Sequence, residues 1–274
     1  MLHQFASRTS PRLLRVAIVG LLGLAAPSAF AETGSALAED VSVHINLLGV
    51  AQLDVDALAP VQIDNATTAT YQENSAAGVD TGDNFLHLTT GALATEGEYA
   101  PGVAISAAGA RASVVGFDLS AVSLIGDSLL SITANLIQSR STMMGYCLPS
   151  RGQSRDMFDD ISFFNGFDDG NLNAGGPGGH PDPGDVVLDG AEITILGIPV
   201  PDLPLNPPPN TIVDLGNLGI VGATLILNEQ TLGGDGVNTG SLTSNAVHLT
   251  LGVAGLITAD VVIAHSNAKL DCTQ

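Results

Sequence analysis

Residues 122–137 read VSLIGDSLLSITANLI. Gly126 and Asp127 are turn formers, and the residues after them decide the architecture. A helix there would lift Ser128 onto a strand-to-helix elbow, as a nucleophilic serine requires. The residues alternate instead. Leu130, Ile132, Ala134 and Leu136 fall on one side, Ser131, Thr133 and Asn135 on the other. A period of two sends successive side chains to opposite faces of a sheet, so the stretch predicts strand–turn–strand.

The same period recurs along the chain. Residues 41–47, VSVHINL, set Val41, Val43, Ile45 and Leu47 against Ser42, His44 and Asn46. Residues 51–57, AQLDVDA, turn Leu53 and Val55 inward and Gln52, Asp54 and Asp56 outward. FLHLTT (85–90) does the same with Leu86 and Leu88, and NAVHLTL (245–251) with Val247, Leu249 and Leu251. DVVIAH (260–265) is more continuously apolar. With 32 Gly and 14 Pro, and no long stretch of apolar residues at helical spacing, the expected fold is all-β, an antiparallel β-sandwich. A β-solenoid is the alternative, and the lack of a fixed repeat counts against it.

The first 31 residues read as a secretory signal peptide. Arg8, Arg12 and Arg15 precede the apolar run VAIVGLLGLAA, Pro27 breaks it, and Ala29-Phe30-Ala31 offers a cleavage site. Residues 32–274 are expected to form a single domain. Its rhythm breaks at about 150–190, where Asp, Gly and Pro dominate, as in a long inserted loop.

After residue 31 the chain carries 28 acidic residues against five basic ones, Arg111, Arg140, Arg151, Arg155 and Lys269. A net charge of −23 repels nucleic acid and anionic membranes. No later apolar run is long enough for a transmembrane helix. Cys147 and Cys272 are the two cysteines, and an even pair in an exported chain predicts one disulfide.

Several blocks occur in a defined order. Residues 193–230 read ITILGIPVPDLPLNPPPNTIVDLGNLGIVGATLILNEQ, followed by SNAVHLTL (244–251) and ADVVIAHSNAKLDC (259–272). Upstream, residues 112–141 read ASVVGFDLSAVSLIGDSLLSITANLIQSRS. In this order the blocks resemble the choice-of-anchor P family of exported bacterial proteins, over roughly residues 110–148 and 188–272 and more loosely 41–60. The resemblance implies export, a β-rich domain and attachment by one of several anchors; it brings no biochemical activity. No sortase-type motif, hydrophobic tail or basic terminus follows Cys272, which favours release or attachment by association.

Three chemistries have candidate residues. Gly126–Leu129 spells GDSL, the signature of a class of serine esterases, with Asp260 and His265 as late partners for Ser128. That pair is spaced by four residues where the class has two, and a turn into a strand is the simpler reading. Asp80-Thr81-Gly82 has the form of an aspartic-protease motif, which needs a second copy to share the proton, and it too reads as a turn. Asp168, Asp169, Asn171 and Asn173 give the alternating oxygens that open a Ca²⁺ loop, but Ala174 stands where the loop needs Gly. The six histidines show no zinc spacing; His44 and His248 are expected on polar strand faces and His265 at a strand end.

The function expected from the sequence is a non-enzymatic secreted or cell-surface β protein, extracellular or periplasmic, with a structural, adhesive or matrix role and a capacity for self-association. A GDSL esterase using Ser128 and a calcium-dependent adhesive module are the alternatives.

Overall fold

The computed structural model describes residues 32–47, 51–82, 85–101, 106–122, 128–145, 184–235, 239–253 and 257–272. The signal segment lies outside them. Among the described residues every regular element is a strand: β1 (Thr33–Leu47), β2 (Ala51–Val55), β3 (Val61–Ala66), β4 (Thr70–Ala77), β5 (Asp80–Gly82), β6 (Leu86–Thr89), β7 (Ala92–Ala100), β8 (Ser106–Val122), β9 (Ser128–Gly145), β10 (Gly184–Asp189), β11 (Glu192–Ile195), β12 (Ile198–Val200), β13 (Thr211–Val213), β14 (Ala223–Gly233), β15 (Thr239–Val253) and β16 (Ile257–Asp271).

They form two sheets. Sheet A runs β13-β14-β15-β16-β1-β2, with β3 also on β1. Sheet B runs β12-β11-β9-β8-β6-β5, with β10 on β9, β7 on β8 and β4 on β7. Every described ladder is antiparallel, unlike the parallel stacking of solenoid turns. The strands β1 and β16 pair along their whole length, from Thr33 opposite Asp271 to Leu47 opposite Ile257.

A single crease organises both sheets. In sheet A, four neighbouring strands each turn two consecutive residues inward: Leu227 and Asn228 in β14, Ala246 and Val247 in β15, Ile263 and Ala264 in β16, Asp40 and Val41 in β1. Pairing resumes unchanged on either side, with Glu39 and Asn245 opposite His265, and Val41 and Val247 opposite Ile263. Asn228 and Ala264 make the slip with φ of 49° and 52°. That left-handed geometry costs about 1–2 kcal/mol for a residue bearing a Cβ, least for Asn. Sheet B answers with the opposite slip. Val115 and Gly116 in β8, and Asn135 and Leu136 in β9, all turn outward, and Gly116 takes φ 63°.

The flanking strands break at this level. Asp40 N–H donates to Leu58 O, and Leu58 N–H to Val41 O, between β2 and β3. Gly91 N–H donates to Val115 O between β6 and β7. Loops thus satisfy backbone groups that the ladders leave unpaired.

On one side of the crease the inward residues are large: Val43, Ile45, Leu249, Val261, Phe117, Leu119 and Ile132 are buried. On the other many are small, with Ala36, Ala38, Ala110, Ala112, Ala268 and a serine seam, beside a second cluster of Tyr99, Met143, Leu242 and Leu270. In the seam Ser139 Oγ donates to Ser266 Oγ at 3.0 Å, Ser141 Oγ donates to Ser266 O at 3.0 Å, and Ser266 Oγ lies 2.9 Å from Ser141 Oγ. Each of these three hydroxyls can donate once, so the seam satisfies its own donors, whereas Ser244 Oγ, Thr142 Oγ1 and Tyr99 OH are buried without a partner among the described residues. Tyr99 packs so closely over Gly34 that a Cβ there would lie 1.9 Å from its ring.

Four sequence expectations need correction. The inserted segment ends earlier than 190, because GDVVLD alternates and forms β10 on β9, with Val186 and Leu188 buried and Asp185 and Asp189 exposed. Leu136 is not inward; the slip at Asn135 turns it out and buries Ile137 instead. His265 is interior to β16, which runs on to Asp271. Asp80–Gly82 is a short edge strand on β6, not a turn.

Gly34→Ala should destabilise the protein by about 1–3 kcal/mol, as overpacking does. Gly216→Ala, in an exposed turn, should change it by less than about 0.5 kcal/mol. Urea denaturation of both variants beside wild type checks this.

Candidate functional site

Strands β14, β15, β16, β1 and β2 present a polar outer face. One row crosses all five as register partners: Thr224, Thr250, Asp260, His44 and Asp54. His248 joins the row from beside it, with Nδ1 2.8 Å from Glu229 Oε2 and Nε2 3.3 Å from Asp260 Oδ1. His44 Nδ1 contacts Asp54 Oδ1, and Ser42 Oγ lies 3.3 Å from His44 Nε2. Ligand atoms of His44, Asp54 and Asp56 come within 4.8 Å of one another, all three residues exposed.

Where the crease sends two residues inward from each strand, the outer face loses two side chains. The gap is a trench of about 280 Å³, lined by Glu39, Ser42, Asn245, Val262 and His265. Glu39, His265 and Asn245 lie on one side of the slip, Ser42 and Val262 on the other. A hydrogen-bond chain fixes the proton positions. Asn245 Nδ2 donates to Glu229 Oε2 at 2.7 Å, so its Oδ1 faces His265 Nδ1 at 2.6 Å and must accept. His265 therefore carries its proton on Nδ1. Burial holds the His265 pKa below the usual histidine range, although Glu39 and Glu229 pull it upward. The neutral ring keeps a lone pair on Nε2.

Asp40 lies beneath, on the inner side of the same crease. Its Oδ1 accepts from Ser113 N–H of sheet B at 2.9 Å, and its Oδ2 is buried with no partner among the described residues. Burial pushes the carboxyl up to about 7, with the Ser113 bond pulling the other way.

No family model matches the chain, and no curated protein does. Among solved structures it is similar to Ail, the attachment invasion locus protein of Yersinia pestis, at 7% identity over 88% of this chain and 99% of that one. The TM-score is 0.16, too low to carry any argument about fold or role.

The residues singled out in the sequence do not converge. Asp168, Asp169, Asn171, Asn173 and Cys147 lie outside the described residues. Ser128 opens β9 opposite Val122, with strand and not helix after it, on sheet B. Its supposed partners Asp260 and His265 lie on the outer face of sheet A. The trench residues Glu39, Asn245 and His265 were missed as a group. Their signal was there: VVIAH and NAVH each place two apolar residues side by side inside an alternating strand, which marks a slip. No helix among the described residues is long and apolar enough to cross a membrane.

Because Asp40 is raised from 3.8 to about 7, its neutral form favours the fold. That contribution is whole below about pH 4 and lost as pH rises through about 7. Asp40→Asn should match wild-type stability near pH 4 and exceed it at pH 8, by up to about 4 kcal/mol from three pKa units. Thermal melts of both proteins across that window check the sign.

Proposed function

We propose that this chain is an exported, non-enzymatic β protein of the cell surface, a two-sheet sandwich that adheres through the outer face of sheet A. The observation that carries the reading is the row Thr224–Thr250–Asp260–His44–Asp54 and its neighbours. Register sets hydroxyl, carboxylate and imidazole groups at the strand spacing of about 4.8 Å over five strands. A regular lattice of donors and acceptors on a rigid sheet suits broad contact with a polar surface. Edge strands β5, β12 and β13 are only three residues long, whereas β4 leaves one eight-residue edge open beyond its pairing with β7. The five-strand face offers the broader polar surface.

Ser42, His44 and Asp54 make contacts in the order of a hydrolytic relay. Ser42 however sits in the continuous β1–β16 ladder, whose N–H groups are committed to strand pairing and are not arranged as oxyanion donors.

The choice-of-anchor P resemblance is carried forward as part of this proposal. Its blocks interlock. Asn228 Nδ2 of LNEQ donates to Pro207 O of NPPPNT at 2.8 Å, Asn210 N–H donates to Asn228 O at 2.7 Å, and Gln230 N–H donates to Asn210 Oδ1 at 2.8 Å. We also assign the staple to Cys147 and Cys272. The described end of β9 lies beside the end of β16, with Gly145 packed against Leu270, two residues before Cys272.

Labelled protein spanning residues 32–274 should bind source-cell surfaces saturably. Thr250→Arg and Asn267→Arg on the outer face of sheet A should weaken binding at least about tenfold, and Gln72→Arg on β4 should not. A failure to saturate, or equal loss in all three, rejects the adhesive face. Denatured, unreduced protein should show no titratable thiol, and two after reduction. Cys272→Ser should then lose up to about 4–5 kcal/mol, the chain-entropy limit for so long a loop.

A further inference from the structure

We infer that the trench on sheet A is a receptor for a lysine side chain of a partner protein, its ammonium held by Glu39, His265 and Ser42 and its alkyl stem laid on Val262. This rests on the adhesive reading of the same face and names the group that face takes.

The size comes first. Sites for drug-sized ligands run to about 300–1,000 Å³. At about 280 Å³ the trench lies just below that range and has room for a whole side chain with its hydration. The chemistry of the lining comes second. An ammonium offers three donors and no acceptor. The trench offers the Glu39 carboxylate, the Nε2 lone pair of His265 and the Ser42 hydroxyl oxygen. Asn245 spends its amide on Glu229 and its oxygen on His265, so it orients the ring and leaves Nε2 to the ligand. Glu39 makes no hydrogen bond or salt bridge among the described residues. Val262 is the apolar surface that a four-carbon stem needs.

Charge comes third. Sheet A carries Glu39, Asp54, Glu229 and Asp260 on its outer side, and Lys269, 3.9 Å from Asp271, is the one lysine or arginine in its described strands. The field therefore draws cations. A guanidinium is matched best by planar, bidentate contact with the two oxygens of one carboxylate, whereas a carboxylate oxygen and two separate acceptors around one point match the compact ammonium with its three donors.

The test is an NMR titration of the protein spanning residues 32–274 with n-butylammonium chloride, beside methylguanidinium, 1-butanol and Zn²⁺. Butylammonium should give saturable shifts centred on Glu39, Ser42, Asn245, Val262 and His265, and 1-butanol should give none. Glu39→Gln, with its spectrum otherwise unchanged, should weaken butylammonium at least about tenfold, and Ser42→Ala by less. Tighter binding of methylguanidinium overturns the choice of lysine. Shifts with Zn²⁺ but not butylammonium make the trench a metal site and overturn it too, as does indifference to Glu39→Gln. Cell binding that persists with a silent trench rejects this inference alone. A responsive trench on a protein that binds no cells rejects the adhesive reading instead.

Discussion

The structure depends on one coordinated slip in side-chain phase. Four adjacent strands of sheet A each put two residues inward at the same level, and two strands of sheet B each put two outward. A slip in a single strand would leave its partners out of phase, with apolar residues turned to water. Made together, the slips keep the β14–β15, β15–β16, β1–β16 and β8–β9 ladders in register across the crease and let the two sheets bend as nested surfaces. The left-handed residues Asn228, Ala264 and Gly116 lie on this line, and so do the breaks between short flanking strands. The buried Asp40 and the open trench are its two sides.

The slip also divides the interior by size. Branched and aromatic side chains fill one half, whereas the other mixes alanine, glycine and serine with a small cluster of Tyr99, Met143, Leu242 and Leu270, and Tyr99 lies directly on Gly34. Small residues permit the sheets to approach, and close approach is why hydroxyls can bond across the gap between Ser139, Ser141 and Ser266. A chain with few aromatic residues and 32 glycines builds a packed interior in this way, with small spacing replacing large side chains.

Much of the fold could be read from the sequence, because alternation is local. VSVHINL and NAVHLTL show their buried faces directly, and the structure keeps them: Val43, Ile45, Val247 and Leu249 are inside. The strand after Gly126-Asp127 was legible for the same reason, and β9 runs from Ser128 to Gly145. The site was less legible because it depends on what lies opposite what. Nothing in IAHSN alone says that His265 faces Asn245 on one strand and Glu39 on another. Leu136 was misplaced since a period of two was carried through Asn135, where the phase changes. β10 was missed because its six residues come after a Gly/Pro-rich run whose composition masks them.

The pairing of β1 with β16 has a mechanical consequence. Thr33 stands opposite Asp271, so the first and last described strands end side by side at one corner. Tension applied between those ends would open the ladder one rung at a time, like a zip, instead of shearing all rungs together. A covalent bond at Cys272, next to that first rung, would move the point of loading onto β9 and the opposite sheet. A protein held at one end against flow would then resist as two sheets and not as two strands.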